Sequence, residues 1–259
     1  MNEPHLSQFV QLIRQGAATW DVHDSDTQHR GEVEVSEEFL ARELARVEAH
    51  ARNLCVTLVD HLGQTPCILD VGCGTGGGTV AMALSELKPE RIIGVDADPV
   101  TLQAARVRAQ AYGLPAEKAD FQHVRAGNPL PFQDGTFDLV TCVSVLEFVT
   151  TVESRERFVG EMLRVTRPEG HLFLATPNPF VLRDYHSRRW LGDWIRRPDR
   201  AWSSTPVSIG RMLAGTRRIP LARYRLLRHA RLRHVAFATP VLQWLLPWQQ
   251  WLVQKPKEA

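Results

Sequence analysis

The sequence predicts an α/β fold built on a mostly parallel, doubly wound sheet, and three observations carry that prediction. Short apolar runs alternate with longer segments of helical period between Cys67 and Ala175. A glycine-rich turn, "VGCGTGGG", joins the first of these runs to the helix after it, and Asp96 closes the second run about 20 residues beyond the glycines. Strands and helices alternating at this spacing need crossover connections, which are right-handed and leave the strands parallel. In such sheets ligands gather at the carboxyl ends of the strands.

The elements follow in order. Leu6 to Gly16 predicts a short helix, and the polar stretch from Thr19 to Glu34, with Asp21, His23, Asp24, Asp26 and His29, predicts a loop. Ser36 is the N-cap of a longer helix, with Glu37 and Glu38 at the positive end of its dipole. Leu40, Leu44, Val47, Ala51, Leu54, Leu58 and Leu62 give that helix one apolar face, and Gly63 ends it. The period then changes. Cys67–Val71 reads as a strand, Gly78–Leu87 as a helix, Arg91–Val95 as a strand, and Pro99–Tyr112 as a helix stopped by Gly113. Strands are expected at Phe121–Arg125, Phe137–Val143 and His171–Ala175, with a helix at Ser154–Val165. This divides the chain into an N-terminal helical cap, 1–63, and a main domain, 64–259, with an insertion near 177–204 and a basic, Trp-rich end.

Composition limits the function classes. The chain has 259 residues, 44% of them hydrophobic and 23% charged, which suits one large globular domain or a domain with an elaborated end. No apolar run is long enough to cross a membrane, and Met1–Val10 lacks the basic start and apolar centre of a secretory signal, so a cytoplasmic protein is expected. Cys55, Cys67, Cys73 and Cys142 have no C-x-x-C spacing and read as reduced core residues, with no metal role. The net charge of +2 hides an asymmetry: from Asn178 onward 16 Lys and Arg face 4 Asp and Glu, and before it 15 face 25. Six of the seven tryptophans also lie in the basic end.

The glycines alone leave the cofactor open. Gly72, Gly74 and Gly77 spell G-x-G-x-x-G, while Gly72, Gly74 and Gly76 spell G-x-G-x-G. Asp96 can accept hydrogen bonds from the ribose hydroxyls of any adenosine-containing cofactor. Asp70, two residues before Gly72, would crowd a pyrophosphate but suits a cofactor bearing an ammonium group. That disfavours a dinucleotide.

Four segments in sequence, "DVGCGTG", "GVDADP", "LPFQDGTFDLV" and "LRVTRPEGHL", closely resemble the class I S-adenosylmethionine-dependent methyltransferases, particularly those acting on small molecules. The resemblance runs from about Cys67 to Asn178. It implies a Rossmann-like, doubly wound sheet of seven strands in the order 3-2-1-4-5-7-6, the last-inserted strand antiparallel, with two strands from the region after Arg223. It assigns Asp70, Gly72, Gly74 and Gly76 to the methionine part of S-adenosyl-L-methionine, Asp96 to the ribose and Ala97 to the side of the adenine. Where the family often has an acid for the adenine amino group this chain has Ala126, so Asn128 or the backbone at Gly127 is expected to substitute. Glu147 either faces the cofactor or has a capping role, and Phe148 stands where related quinone methyltransferases often carry a His. Asp98 before Pro99 reads as an N-cap, and Asp138 as partly structural.

The acceptor is expected to meet the segment Thr176–Trp202, which is longer than an ordinary connection and follows the carboxyl end of the fifth strand. There His186 is the candidate general base, with Asp184 or Tyr185 orienting it or the substrate; a solvated loop histidine is the plain alternative. His23 and His29 are weaker candidates. The predicted partner is a small-molecule acceptor methylated at oxygen or nitrogen. Alternatives are a lipid-linked, glycosyl or carrier-bound metabolite, an RNA, or cofactor binding without transfer. No nucleic-acid module is visible among the arginines of the basic end. "ARYRLLRHARLRHVAFA" reads as a strand pair with a wet face. Trp244, Trp248 and Trp251 stand at helical spacing, which suits peripheral membrane contact, a lipid-like substrate, or packing on the core or a second copy.

Overall fold

The computed structural model describes residues 3–17, 35–149, 151–178, 205–221 and 248–257. Among them, α1 (Glu3–Ala17), α2 (Glu37–Leu44), α3 (Arg46–His50), a π-helical turn (Ala51–Cys55) and α4 (Val56–His61) precede β1 (Cys67–Val71). Next come α5 (Gly77–Ala83), β2 (Arg91–Asp96), α6 (Pro99–Ala111), β3 (Ala119–His123) and β4 (Phe137–Val143). A 3-10 turn (Leu146–Phe148), α7 (Val152–Val165), β5 (Thr166–Pro177), α8 (Pro206–Met212), β6 (Arg217–Ile219) and β7 (Trp248–Gln254) complete the described elements. The strand order is β3-β2-β1-β4-β5-β7-β6, the order implied by the resemblance. The chain forms two compact units, Met1–Asn128 and Pro129–Ala259.

In the first unit β1, β2 and β3 pair in parallel, with Leu69 opposite Ile93 and Gly94 opposite Phe121. Ile68, Leu69, Ile92 and Val95 are buried because helices cover both faces of a parallel sheet. The strand β3 begins at Ala119, two residues before the expected start, because parallel pairing sets Ala119 against Ile92. The helix α5 ends at Ala83 rather than Leu87, and the chain turns there with Lys88 at φ 48°.

The long N-terminal helix is segmented. Ser36 caps α2 as expected, its Oγ accepting from the Phe39 N–H at 3.2 Å. The helix breaks at Ala45, whose φ is −81° and ψ 2°, and then passes through the π turn. The wider turn re-phases the apolar stripe, so that Leu40, Val47, Leu54 and Leu58 are all buried. The stop is Leu62 in extended conformation, one residue before Gly63. Phe9, Ile13, Val35 and Leu40 pack with Ala104 and Val107 of α6.

In the second unit β4 pairs in parallel with β5, while β7 runs antiparallel to both β5 and β6. The strand β5 starts at Thr166, five residues earlier than expected. Thr166 pairs with Phe137, and a bulge over Arg167–Gly170 brings His171 opposite Leu139. Lys255 pins that bulge: its backbone exchanges bonds with Glu169 and Gly170 at 3.0 and 2.9 Å, and its Nζ donates to the Thr166 carbonyl at 2.9 Å.

The end of the chain departs from expectation. One of the last two strands, β6, precedes Arg223, and β7 occupies residues whose Trp248 and Trp251 stand at helical spacing. Seven residues of β5 pair with β7, so the backbone hydrogen bonds are satisfied in the sheet. Alternate residues Gln249, Trp251 and Val253 are buried on one face, and the Arg218 guanidinium lies 4.0 Å over the Trp251 ring. The expected strand pair at 222–238 and Trp244 lie outside the described residues. No helix among the described residues is long and apolar enough to cross a membrane.

Candidate active site

The glycine turn after β1 settles its own spelling. Gly72, Gly74 and Gly76 have φ of 71°, 54° and 77°, the left-handed region that glycine adopts without strain. Gly77 instead opens α5 and is glycine for space, since a Cβ there would stand 2.7 Å from the Arg46 Cβ. The turn is tied to β2: the N–H groups of Gly72 and Cys73 both donate to the Val95 carbonyl, at 2.8 and 3.0 Å. Around the Cβ position of Gly74 nothing lies within 4 Å, so the turn is open on that side.

Two carboxylates flank the turn. Asp70 is buried near the end of β1 and its Oδ2 accepts from the Thr79 hydroxyl at 2.6 Å. Asp96, at the end of β2, accepts from the Gly74 N–H at 2.9 Å on Oδ2 and from the Asp98 N–H at 3.0 Å on Oδ1. A carboxylate has about four acceptor positions, so these bonds fix the plane of the group and leave its remaining acceptor capacity for ligand hydroxyls. Burial raises the Asp96 pKa above the ordinary aspartate value, and donation from the N–H groups of Asp98, Gly74 and Ala97 opposes the rise. Ala97 is exposed beside it, its carbonyl accepting from His123 Nε2 at 3.1 Å. Asp98 is the expected N-cap of α6, accepting from the Val100 N–H at 2.8 Å. Asn128 is exposed on a turn in which its N–H donates to the Arg125 carbonyl at 3.2 Å.

This donor set fits S-adenosyl-L-methionine. Asp70 supplies an anion for an ammonium group, Asp96 supplies acceptors for a ribose, and the open side of Gly74 is a cradle that a Cβ would enter. A thiol nucleophile is not part of it. Cys55, Cys73 and Cys142 are buried and form no disulfide, and burial, with Asp70 adding to it, pushes the Cys55 thiol up to about 12. Among the described residues no group of three or more His, Cys, Asp or Glu could hold a metal.

In the second unit Glu147 lies in the 3-10 turn after β4, where its Oε2 accepts from the Thr176 hydroxyl at 3.1 Å. Ser144, between strand and turn, has φ 61°, and Phe148 is 62% exposed. Asp138 is paired with Arg167, Oδ1 to Nε at 2.5 Å, the structural role expected of it. His186, Tyr185 and Asp184, like His23 and His29, lie outside the described residues.

The sequence reading missed a polar cluster behind the glycine turn. Thr75 is held by Glu43 of α2 and Arg108 of α6, both fully or almost fully buried. The available signal was that both charges fall on helix positions otherwise given to the apolar stripe: Glu43 beside Leu40 and Val47, Arg108 beside Ala104 and Ala105.

Residues 69–174 match the profile of a family described as a methyltransferase domain. Over 101 residues the chain is 39% identical to norajmaline N-methyltransferase of Rauvolfia serpentina, covering 39% of this chain and 32% of that protein. Over 134 residues it is 34% identical to the chloroplastic tocopherol O-methyltransferase of Arabidopsis thaliana, covering 52% and 36%. The chain thus spans about a third of the length of these two relatives. A solved S-adenosylmethionine-dependent methyltransferase from Methanosarcina mazei superimposes with TM-score 0.55 at 19% identity, covering 80% of this chain and all of that one, a likeness of fold. The strand order and the glycine turn with its two carboxylates accompany these matches: residues 69–174 are similar to a methyltransferase domain, on a fold shared with solved S-adenosylmethionine-dependent methyltransferases.

Proposed function

We propose that the chain transfers a methyl group from S-adenosylmethionine to an oxygen or nitrogen of a small-molecule acceptor. The observation that carries this reading is the contact between Asp96 and Gly74, which fixes a ribose-binding carboxylate against the open side of the glycine turn. The N- and O-methyltransferases among the relatives support the two kinds of acceptor atom.

When bound, S-adenosylmethionine supplies a sulfonium methyl that an acceptor lone pair takes by in-line displacement, the carbon–sulfur electrons leaving with sulfur. The chain's part is holding and orientation, which for such a displacement provides most of the rate. Asp70 binds the ammonium, Asp96 the ribose hydroxyls, and Ala97 and Asn128 flank the adenine. The acceptor proton passes to a base, for which His186 is the candidate, oriented by Asp184 or Tyr185. Glu147 is held by the Thr176 hydroxyl just after the carboxyl end of β4.

Titration with S-adenosylhomocysteine tests the cofactor site. Asp96→Ala removes two charge-assisted bonds to the ribose and is expected to weaken binding by about 30-fold or more. Unchanged affinity would overturn the assignment. Release of S-adenosylhomocysteine in the presence of a panel of phenols, alcohols and amines then tests the transfer, and His186→Ala should lower turnover on the acceptor that responds.

A further inference from the structure

The buried cluster behind the glycine turn is larger than a fold needs. Arg108 Nη1 donates to both the carbonyl and the hydroxyl of Thr75 at 2.8 Å, and its Nη2 donates to the Glu43 carbonyl at 2.6 Å. The Thr75 hydroxyl donates in turn to Glu43 Oε2 at 2.8 Å. Glu43 Oε1 accepts from Arg46 Nε at 2.5 Å. The Phe9 ring of α1 lies 4.5 Å from the Arg108 guanidinium carbon. Arg108 is 0% exposed and Glu43 2%.

Burying such a pair brings little net stability, because desolvation of both ions offsets their attraction, and apolar residues of like volume often do as well. What the cluster does supply is geometry. Thr75 lies between Gly74 and Gly76, two glycines in the left-handed region, and its carbonyl and hydroxyl are both bonded into the cluster. The same bonds come from α2 and α6, with α1 packed on the guanidinium. Gly77 adds an independent sign of closeness, since a Cβ there would meet the Arg46 Cβ at 2.7 Å and Arg108 Nη1 at 3.0 Å.

We propose that Glu43 and Arg108 are positioning residues that act through Thr75 to hold the glycine turn in its cofactor-binding shape, so that docking of α1 and α2 and binding of S-adenosylmethionine favour one another. The inference rests on the proposed cofactor site. Coupling of this kind is reciprocal: whatever the docked helices add to cofactor affinity, the cofactor adds to docking of the helices.

Thr75→Val, Glu43→Gln and Arg108→Met are to be compared with the wild-type chain by S-adenosylhomocysteine titration, thermal unfolding and amide hydrogen exchange. Thr75→Val and Glu43→Gln keep shape and volume, and carry the test if Arg108→Met does not fold. The expected result is a loss of affinity of about tenfold or more in variants whose melting temperature stays close to wild type. In the wild-type chain the ligand should also slow exchange in Leu40–Val47 and around Phe9, a gain that Thr75→Val abolishes. Affinities within twofold of wild type, or exchange in α2 indifferent to ligand, would overturn the coupling. A wild-type chain that binds no S-adenosylhomocysteine would overturn the cofactor reading itself, a different and distinguishable result.

Discussion

Gly74 and Gly76 sit two residues apart in one turn, yet substitution should separate them. A Cβ on Gly76 would meet the Ala105 Cβ at 2.9 Å and its Cα at 3.2 Å, with φ at 77°. Gly76→Ala is therefore expected to cost about 2–4 kcal/mol of stability, strain and overpacking together. Gly74→Ala meets no atom within 4 Å and should cost about 1 kcal/mol for its left-handed backbone, while losing most of its affinity for S-adenosylhomocysteine. Thermal unfolding paired with ligand titration checks the contrast, and equal stability losses would refute it. His50 gives a pH signature. Burial first, then Arg46 and Arg108, lowers its pKa to about 4, with Glu43 acting the other way. Between the unfolded value near 6.5 and 4, the unfolded chain takes up a proton that the folded chain refuses. Its contribution is thus full above pH 6.5 and lost as pH falls, by at most about 3 kcal/mol at pH 4. His50→Gln should flatten denaturation midpoints over that range. The carboxylates and glycines proposed for the site were legible as candidates because a ligand's chemistry would demand those residue types at those positions. Glu43, Thr75 and Arg108 were not, because a charge on a helix is ordinarily solvated and only the docking of α2 near α6 makes it a buried tie.

At the scale of elements, Arg164 of α7 explains why two separated motifs accompany one another. Its Nη1 donates to the Phe132 carbonyl and Asp134, and its Nη2 to the Leu130 carbonyl and Glu161, at 2.7 to 2.9 Å. Glu161 returns the contact by accepting from the Leu130 N–H at 2.8 Å. The "LPFQDG" segment has almost no regular structure of its own, so this fork is what shapes its approach to β4. Arg164→Leu keeps the helix but removes the fork, and should destabilise the chain by about 2–3 kcal/mol with faster exchange in 130–136. Exchange at wild-type rates there would show that the segment is held by other means. Helices and central strands were legible from periodicity and caps: Ser36, Asp98 before Pro99, and Gly113. The bulge at Arg167–Gly170 was not, because it exists only through pairing with Lys255, 85 or more residues away in sequence. Trp248 and Trp251, three residues apart, fit helical spacing and fall on opposite faces of the strand, so pairing with β5 overrode the local pattern.

For the whole molecule, the strand order was implied by the resemblance carried by motifs between Cys67 and Asn178, and the methyltransferase-domain profile matches nearly the same stretch, 69–174. Outside it, prediction failed where pairing is least local. The strand β6 has three residues, too few for a pattern, and β7 reaches β5 from beyond a long intervening segment. That arrangement bears on how the protein is made. Because β7 is inserted between β5 and β6 yet is the last of these strands to be synthesised, a nascent chain must hold the apolar edge of β5, with Leu172 and Leu174, unpaired until Trp248–Gln254 leaves the ribosome. An open hydrophobic strand edge invites pairing with other chains. The interval between making β5 and making β7 is thus the period in which this protein is most exposed to aggregation, and the one in which a chaperone would matter most.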